Sequence, residues 1–256
     1  MSSPRVIAVT NQKGGVGKTT TAINVAYYLA KSGKKTLLVD LDPQGNATSG
    51  LGVDKSKVGK SVIDLLVNQA SLKEVVVKTK HKNFFLIPTT SHLANTEVEL
   101  ANMNNKFVRL KQGLAAENDF DFIIIDSPPS LSLLTVNALI AAQHVLLPVQ
   151  AEFYAMEGLG QLLETMKLVR KGMNPTLELL GVLVTMLDSR TSLSKQVHDE
   201  IKRHFPGKVF ETTIPRNIRL AEAPSHGLPI GAYERWSKGA RAYKAATKEL
   251  ITRVGV

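Results

Sequence analysis

The sequence contains no cysteine, and none of its apolar runs is long. The absence of thiols excludes disulfides, iron–sulfur clusters and zinc sites built on thiolates. No run approaches the roughly 18 apolar residues that a membrane-spanning helix needs, and the first residues lack the apolar core of a secretory signal. These absences predict a cytoplasmic protein.

Acidic residues are also scarce relative to basic ones, with 22 Asp and Glu against 32 Lys and Arg and a formal charge of +10. The imbalance is concentrated at the carboxyl end, because residues 160–256 hold 16 of the basic residues but only 9 of the acidic ones. A basic third is typical of a surface that meets a phosphate backbone. It is equally compatible with charges that only interact with water, and charge alone leaves both interpretations open.

What the chain does have is a regular alternation of short apolar runs and amphipathic segments. The runs predict strands at 5–10, 36–40, 84–88, 122–126, 144–149 and 179–187. The segments predict helices at 18–32, 96–116, 133–142, 158–172, 193–205 and 239–253. Runs rich in Val, Ile and Leu indicate strands covered on both faces. We therefore predict one α/β domain over 1–256, a doubly wound, mostly parallel sheet flanked by helices, with ligands at the carboxyl ends of its strands.

A glycine-rich segment lies between the first predicted strand and the first predicted helix. Residues 11–20 read Asn-Gln-Lys-Gly-Gly-Val-Gly-Lys-Thr-Thr. In this context the pattern predicts a P-loop for ATP, because its backbone N–H groups and the helix N-terminus would surround phosphate oxygens. Lys18 would neutralise the β- and γ-phosphates, and the Thr19 hydroxyl would ligate Mg²⁺. The predicted nucleotide-binding residues of this loop are Lys13, Gly14, Gly15, Val16, Gly17, Lys18, Thr19 and Thr20.

Two carboxylates fit the same site. Asp126 ends the strand Phe-Ile-Ile-Ile-Asp, which is the layout of a Walker B motif that holds Mg²⁺. Asp42 follows the second predicted strand, where a carboxylate is suited to orient the attacking water or a metal-bound water. Either Asp40 or Asp42 would alternatively only cap a turn. We favour Asp42 as the functional residue, and we predict Thr19, Asp42 and Asp126 as the metal site.

These motifs resemble those of the deviant Walker A group of P-loop ATPases, which is marked by Lys-Gly-Gly-x-Gly-Lys-Thr. Within this group the sequence is most similar to the ParA/Soj ATPases of chromosome and plasmid partitioning, over nearly the whole chain. The segments that carry the resemblance are 11–20, 38–52, 123–137, 148–158 and 214–227.

The resemblance implies a mechanism that composition does not indicate. Two ATP-bound subunits would form a sandwich homodimer in which Lys13 reaches the partner's phosphates while Lys18 stays in its own site. Lys13, Lys18 and Asp42 would be the catalytic residues, and Gly14 would lie at the seam. Pro215 and Asn217 would lie near the adenine. The ATP dimer would bind double-stranded DNA without sequence preference, and a ParB/Spo0J-like partner would stimulate hydrolysis and release it.

The resemblance also implies that the basic third of the chain binds DNA and that the protein is associated with the nucleoid. Arginines that match Arg190 and Arg219 belong to the DNA-binding face of the family. We predict that face to consist of Arg190, Arg219, Arg216, Lys195, Lys202 and Arg203. Such contacts would be independent of sequence and sensitive to salt.

An alternative is a MinD-like, membrane-associated regulator of the division site, which shares the nucleotide site but needs an amphipathic membrane helix. The last predicted helix has an apolar stripe of Tyr243, Leu250, Ile251 and Val254. The stripe has one bulky apolar residue per turn and no Phe or Trp, so we predict that it packs in the core and is not a stable membrane anchor. We also predict that Trp236, the only tryptophan, packs against the protein.

Overall fold

The structure is a computed structural model that describes residues 3–115, 119–152, 159–188 and 190–255, without the side chains of Ala94 and Leu193. Within these ranges a seven-stranded sheet has the order β3-β4-β2-β5-β1-β6-β7. The strands are β1 (Arg5–Val9), β2 (Thr36–Asp40), β3 (Val77–Lys78), β4 (Phe84–Ile87), β5 (Phe122–Asp126), β6 (His144–Gln150) and β7 (Glu178–Thr185). All neighbours pair in parallel except β3 and β4. The predicted doubly wound, mostly parallel sheet is confirmed.

Helices cover both faces of this sheet. They are α1 (Lys18–Lys31), α2 (Asn46–Gly50), α3 (Val62–Leu66), α4 (Leu72–Val75), α5 (Leu93–Ala101), α6 (Arg109–Leu114), α7 (Leu133–Ala141), α8 (Leu159–Gly172), α9 (Ser192–His204), α10 (Ile218–Glu222), α11 (Ile230–Tyr233) and α12 (Lys238–Arg253). Short 3₁₀ helices lie at Lys55–Lys57 and Ala223–His226.

Alternate residues of each strand supply two cores. On one face Val6, Val39 and Ile123 pack with the apolar sides of α3 to α9. On the other face Ile7 and Leu38 pack with α1, α11 and α12. Because side chains alternate along a strand, continuous Val/Ile/Leu runs fill both layers. Because helices cover both faces of the sheet, its carboxyl edge is formed by the loops that follow the strands.

The apolar stripe of α12 is part of the second core. Tyr243, Leu250 and Val254 are buried, and Ile251 packs partly against the same cluster. The Tyr243 hydroxyl lies 3.0 Å from the Thr21 hydroxyl of α1, and both residues are buried. The predicted core role of this stripe is confirmed. In the described part of the chain no helix is long and apolar enough to cross a bilayer.

Two sequence predictions need correction. The helix predicted over 96–116 is two helices, α5 and α6, because a turn at 102–108 contains Asn105 with a left-handed φ of 59°. Asparagine tolerates that conformation, which a continuing helix does not allow. Trp236 does not pack in the core, because it is 72% exposed and stacks with the Arg235 guanidinium, 4.9 Å from its ring. Two predicted helix ends lie outside the described residues. They are Ala116, where the helix predicted over 96–116 ends, and Gly158, where the helix predicted over 158–172 begins.

Candidate functional site

The loop between β1 and α1 is held in shape by hydrogen bonds to β6 and β7. The Asn11 side-chain amide donates to the Pro148 carbonyl at 2.8 Å, and the Thr185 hydroxyl donates to the Val16 carbonyl at 2.8 Å. Gly15 and Gly17 have φ of 75° and 86°, which glycine adopts without strain. The neighbouring strands β6 and β7 thus fix the loop that precedes the N-terminus of α1.

Lys18 is the buried cation of this loop. It is only 6% exposed, and its ammonium donates to the Lys13 carbonyl at 2.8 Å. Burial lowers the pKa of Lys18, while the nearby Asp126 and Asp42 carboxylates raise it. An ammonium in this setting stabilises an anion brought to the loop, such as the phosphates of a nucleotide.

Asp126 is a buried carboxylate at the carboxyl end of β5. It is fully buried, and neither of its oxygens has a hydrogen-bond partner among the described residues. Burial raises the pKa of Asp126 well above its usual range, the Asp40 charge adds to the rise, and Thr19 and Lys18 oppose it. Two orphaned oxygens beside a threonine hydroxyl are the hard ligands that Mg²⁺ takes together with substrate phosphates. The donor set therefore fits this ion.

The two other carboxylates have different surroundings. Asp40 accepts hydrogen bonds from the backbone N–H and the hydroxyl of Thr48 at 2.7 and 2.6 Å, and burial raises its pKa to about 6. Asp42 accepts from the Gln44 N–H at 2.9 Å and lines the same cavity as Lys18. Asp40 is thus engaged in holding α2, whereas Asp42 faces the cavity.

Two cavities with shared lining residues lie beside the loop. One of about 280 Å³ is lined by Gly14, Gly15, Gly17, Lys18, Thr19, Thr20, Asp42, Gln44, Asn46, Pro129 and Met186. The second, of about 340 Å³, shares Gly17, Thr20 and Met186 with the first and also contains the predicted Pro215 and Asn217. Its walls include Thr185, Ile214 and Tyr243, which were not predicted as nucleotide-site residues; Tyr243 was predicted only as part of the apolar stripe of the last helix. Together the two cavities have room for phosphates and an aromatic base.

The side chain of Lys13 lines neither of these two cavities. Its ammonium lies 3.6 Å from a Glu152 carboxylate oxygen, and the other oxygen of Glu152 lies 3.9 Å from the Arg216 guanidinium. Lys13 therefore does not contribute its charge to the cavity of its own chain in this arrangement.

A basic cavity of about 530 Å³ borders the second one. Arg190 and Arg216 line it together with Lys238, which the sequence analysis did not single out. Residues Pro215 to Ile218 line both cavities. Arg190 is paired with Asp188 at 2.7 Å but its side chain remains 86% exposed.

The other predicted basic residues lie outside this cavity. Arg219 pairs with Glu222 at 2.8 Å on α10, and Lys202 lies 3.4 Å from Glu211. Lys195, Lys202 and Arg203 are exposed on α9. The structure thus brings Arg190 and Arg216 together, and it places Arg219 on α10 and the other three on α9.

Comparison with known proteins places these features in a family. A family model for an AAA domain matches residues 4–179. The sporulation initiation inhibitor protein Soj of Bacillus subtilis is 53% identical over 247 residues, which are 96% of this chain and 98% of that protein. The chromosome partitioning protein ParA of Myxococcus xanthus is 49% identical over 97% of this chain and 88% of its own length. A structure of cobyrinic acid a,c-diamide synthase from Mycobacterium smegmatis, with a bound ATP analog and magnesium, is 38% identical with a TM-score of 0.87, covering 98% of this chain and 96% of that one.

Proposed function

Because the chain belongs to the Soj/ParA family of chromosome-partitioning ATPases, we propose that its ATP-bound dimer holds DNA and that hydrolysis releases it. The protein is an ATPase, and its cofactors are ATP and Mg²⁺. One observation supports the DNA step above all others. Residues Pro215 to Ile218 line both the cavity of about 340 Å³, where the nucleotide base would lie, and the basic cavity. A nucleotide base in the cavity of about 340 Å³ would therefore touch the segment that also lines the basic cavity.

The hydrolytic step follows from the carboxylates and Lys18. The Lys18 ammonium would leave the Lys13 carbonyl and neutralise the β- and γ-phosphates. Thr19 and Asp126 would hold Mg²⁺, which supplies positive charge to the phosphates. Asp42, at the edge of the same cavity, would contribute to the metal site and orient the water that attacks the γ-phosphate.

The position of Lys13 supports the proposed dimer. Its side chain pairs with Glu152 at the surface and lines neither nucleotide cavity. An ion pair between half-exposed groups contributes at most about 1 kcal/mol, so a phosphate of a second subunit can replace Glu152. The γ-phosphate charge would then be fully neutralised only in a dimer, and ATP would be the signal for dimerisation.

The DNA face would include the cavity arginines, Arg190 and Arg216, and the exposed residues of α9 and α10, namely Lys195, Lys202, Arg203 and Arg219. The carboxylates that pair with Arg190 and Arg219 are local, and phosphates would displace them at little cost. Such contacts bind any sequence and weaken with salt. A ParB-like partner would then stimulate hydrolysis on the nucleoid.

Co-sedimentation with plasmid DNA tests this proposal. With ATP the wild-type protein should sediment with DNA, Lys18→Ala should bind neither nucleotide nor DNA, and Arg219→Glu should dimerise with ATP without binding DNA. Arg170→Glu is the matched control, because Arg170 lies exposed on α8 and lines none of the three cavities. Unchanged DNA retention by Arg219→Glu refutes the face, and retained ATP affinity in Lys18→Ala refutes the nucleotide site.

The membrane-associated alternative requires an exposed apolar helix. The stripe of α12 that was the candidate is buried against α1. Sedimentation of the same protein with vesicles of anionic lipid, with and without ATP, separates the two functions. Binding to vesicles but not to DNA would favour the division-site regulator.

A further inference from the structure

Lys55 contacts the loop of residues 42–45, here called the Asp42 loop, from outside it. Lys55 begins the 3₁₀ helix Lys55–Lys57, and its ammonium donates to the Gln44 carbonyl at 2.7 Å. The side chain is half-buried. Its stem lies against Gly45, since a Cβ built on that glycine would be 2.7 Å from the Lys55 Cδ atom.

The same loop carries the carboxylate proposed to orient water. The Gln44 N–H donates to the Asp42 carboxylate at 2.9 Å, and the Gly45 N–H donates to the Asp42 carbonyl at 2.8 Å. Gln44 is therefore hydrogen-bonded on one side to the Asp42 carboxylate and on the other to Lys55. A displacement of the Gln44 carbonyl is transmitted to Asp42 through a single residue.

The end of the loop at α2 has its own buried attachment. The Thr48 N–H and hydroxyl donate to Asp40, and the Thr48 hydroxyl accepts from the Thr89 N–H at 3.0 Å. Gln44 lies before that attachment and lines the cavity. Gly45, between them, has a left-handed φ of 64° and serves as the N-cap of α2. The Lys55 contact thus acts on the part of the loop that lines the cavity of Lys18 and Asp42.

We propose that Lys55 is a positioning residue for ATP hydrolysis, which fixes the Gln44 carbonyl and thereby the orientation of Asp42 toward the attacking water. This inference rests on the proposed role of Asp42. A lysine that only interacts with water would have no effect on that geometry. The charged donor to a carbonyl and the packing of its stem on Gly45 are two contacts that hold the loop in one conformation.

The test compares Lys55→Met with Lys57→Met in steady-state ATP hydrolysis. Lys57 lies on the same 3₁₀ helix, but its side chain is 83% exposed and pairs with Asp54 at 3.5 Å. In Lys55→Met we expect kcat to fall about tenfold, the order expected when one charge-assisted hydrogen bond that orients a reacting group is lost. KM for ATP should stay within about twofold, because the phosphate ligands are intact. Lys57→Met should match the wild type, and Lys55→Arg, which keeps a charged donor, should recover most of kcat.

Hydrogen exchange provides a readout in the absence of nucleotide. The Gly45 N–H should exchange faster in Lys55→Met than in the wild type or in Lys57→Met. An unchanged kcat, a rise in KM alone, or equal losses in the two methionine variants would each overturn the inference. If Asp42→Ala is inactive while Lys55→Met is fully active, only the role of Lys55 fails. If Asp42→Ala retains full activity, the proposed role of Asp42 fails instead.

Discussion

Replacing Gly14 by valine separates the fold of the subunit from the assembly of the proposed dimer. A Cβ built on Gly14 meets no atom within 4 Å, and its φ is outside the left-handed region. The Cβ of a valine there meets no intrachain clash, and the position does not impose the strain of a left-handed backbone. In the proposed sandwich the same side chain would lie at the seam, where it would overlap the partner subunit.

The expected magnitudes differ sharply between fold and assembly. Gly14→Val should change the free energy of unfolding by no more than about 0.5 kcal/mol, as for other exposed substitutions without special contacts. For a chain of this length that is a shift in Tm of about 2 °C or less. Gly15→Val is the matched control, because Gly15 has a φ of 75° although its Cβ would also meet open space. Its backbone strain should cost about 2 kcal/mol, or roughly 6 °C in Tm.

Light scattering on the gel-filtered protein, with a non-hydrolysable ATP analogue, measures the assembly, and nucleotide affinity is measured separately on the same samples. Gly14→Val should bind the nucleotide and remain a monomer. A variant that dimerises as the wild type does would refute the position of Gly14 at the seam. A Tm that falls as far as that of Gly15→Val would refute the view that its surroundings are open.

Three further perturbations test other parts of the site. Asp42→Ala should stop turnover and trap an ATP-bound dimer on DNA, and rapid hydrolysis by this variant would contradict the role of Asp42. Tyr243→Phe removes the buried hydrogen bond to Thr21 and should cost about 1 kcal/mol, or about 2–4 °C in Tm. Tyr233→Phe, whose hydroxyl lies 3.2 Å from a carboxylate near the surface, should cost less, and equal losses would argue against the buried contact. Lys238→Glu should weaken DNA binding and leave dimerisation intact, as measured by co-sedimentation at several salt concentrations.

The sequence predicts those elements correctly whose signal is local. The strands 36–40 and 122–126 coincide with β2 and β5, and helix α1 begins at Lys18 as predicted. These elements follow from continuous apolar runs and a glycine-rich turn, which are properties of neighbouring residues. The two-residue strand β3 is too short to show an apolar period, and it exists because it pairs with β4.

The choice between Asp40 and Asp42 shows where local signals end. Asp40 ends the same strand that Asp42 follows, and the turn chemistry suits either of them. The structure assigns Asp40 to Thr48 and leaves Asp42 at the phosphate cavity. Thr48, which binds Asp40, lies on α2. The folded position of α2, and not the spacing of the two aspartates in the sequence, therefore determines which carboxylate faces the cavity.

The sequence by itself determined the P-loop, its strand–loop–helix setting, the two acidic strand ends and the family, because each is carried by a short run of residues. Three features appear only in the tertiary structure. Residues Pro215 to Ile218 line both the cavity of about 340 Å³ and the basic cavity. Glu152 lies beside Lys13, and Lys55 donates to the Gln44 carbonyl. Lys13 and Glu152 follow β1 and β6, which are neighbouring strands at the carboxyl edge of one sheet. Their proximity depends on the strand order, which no segment of the chain encodes alone.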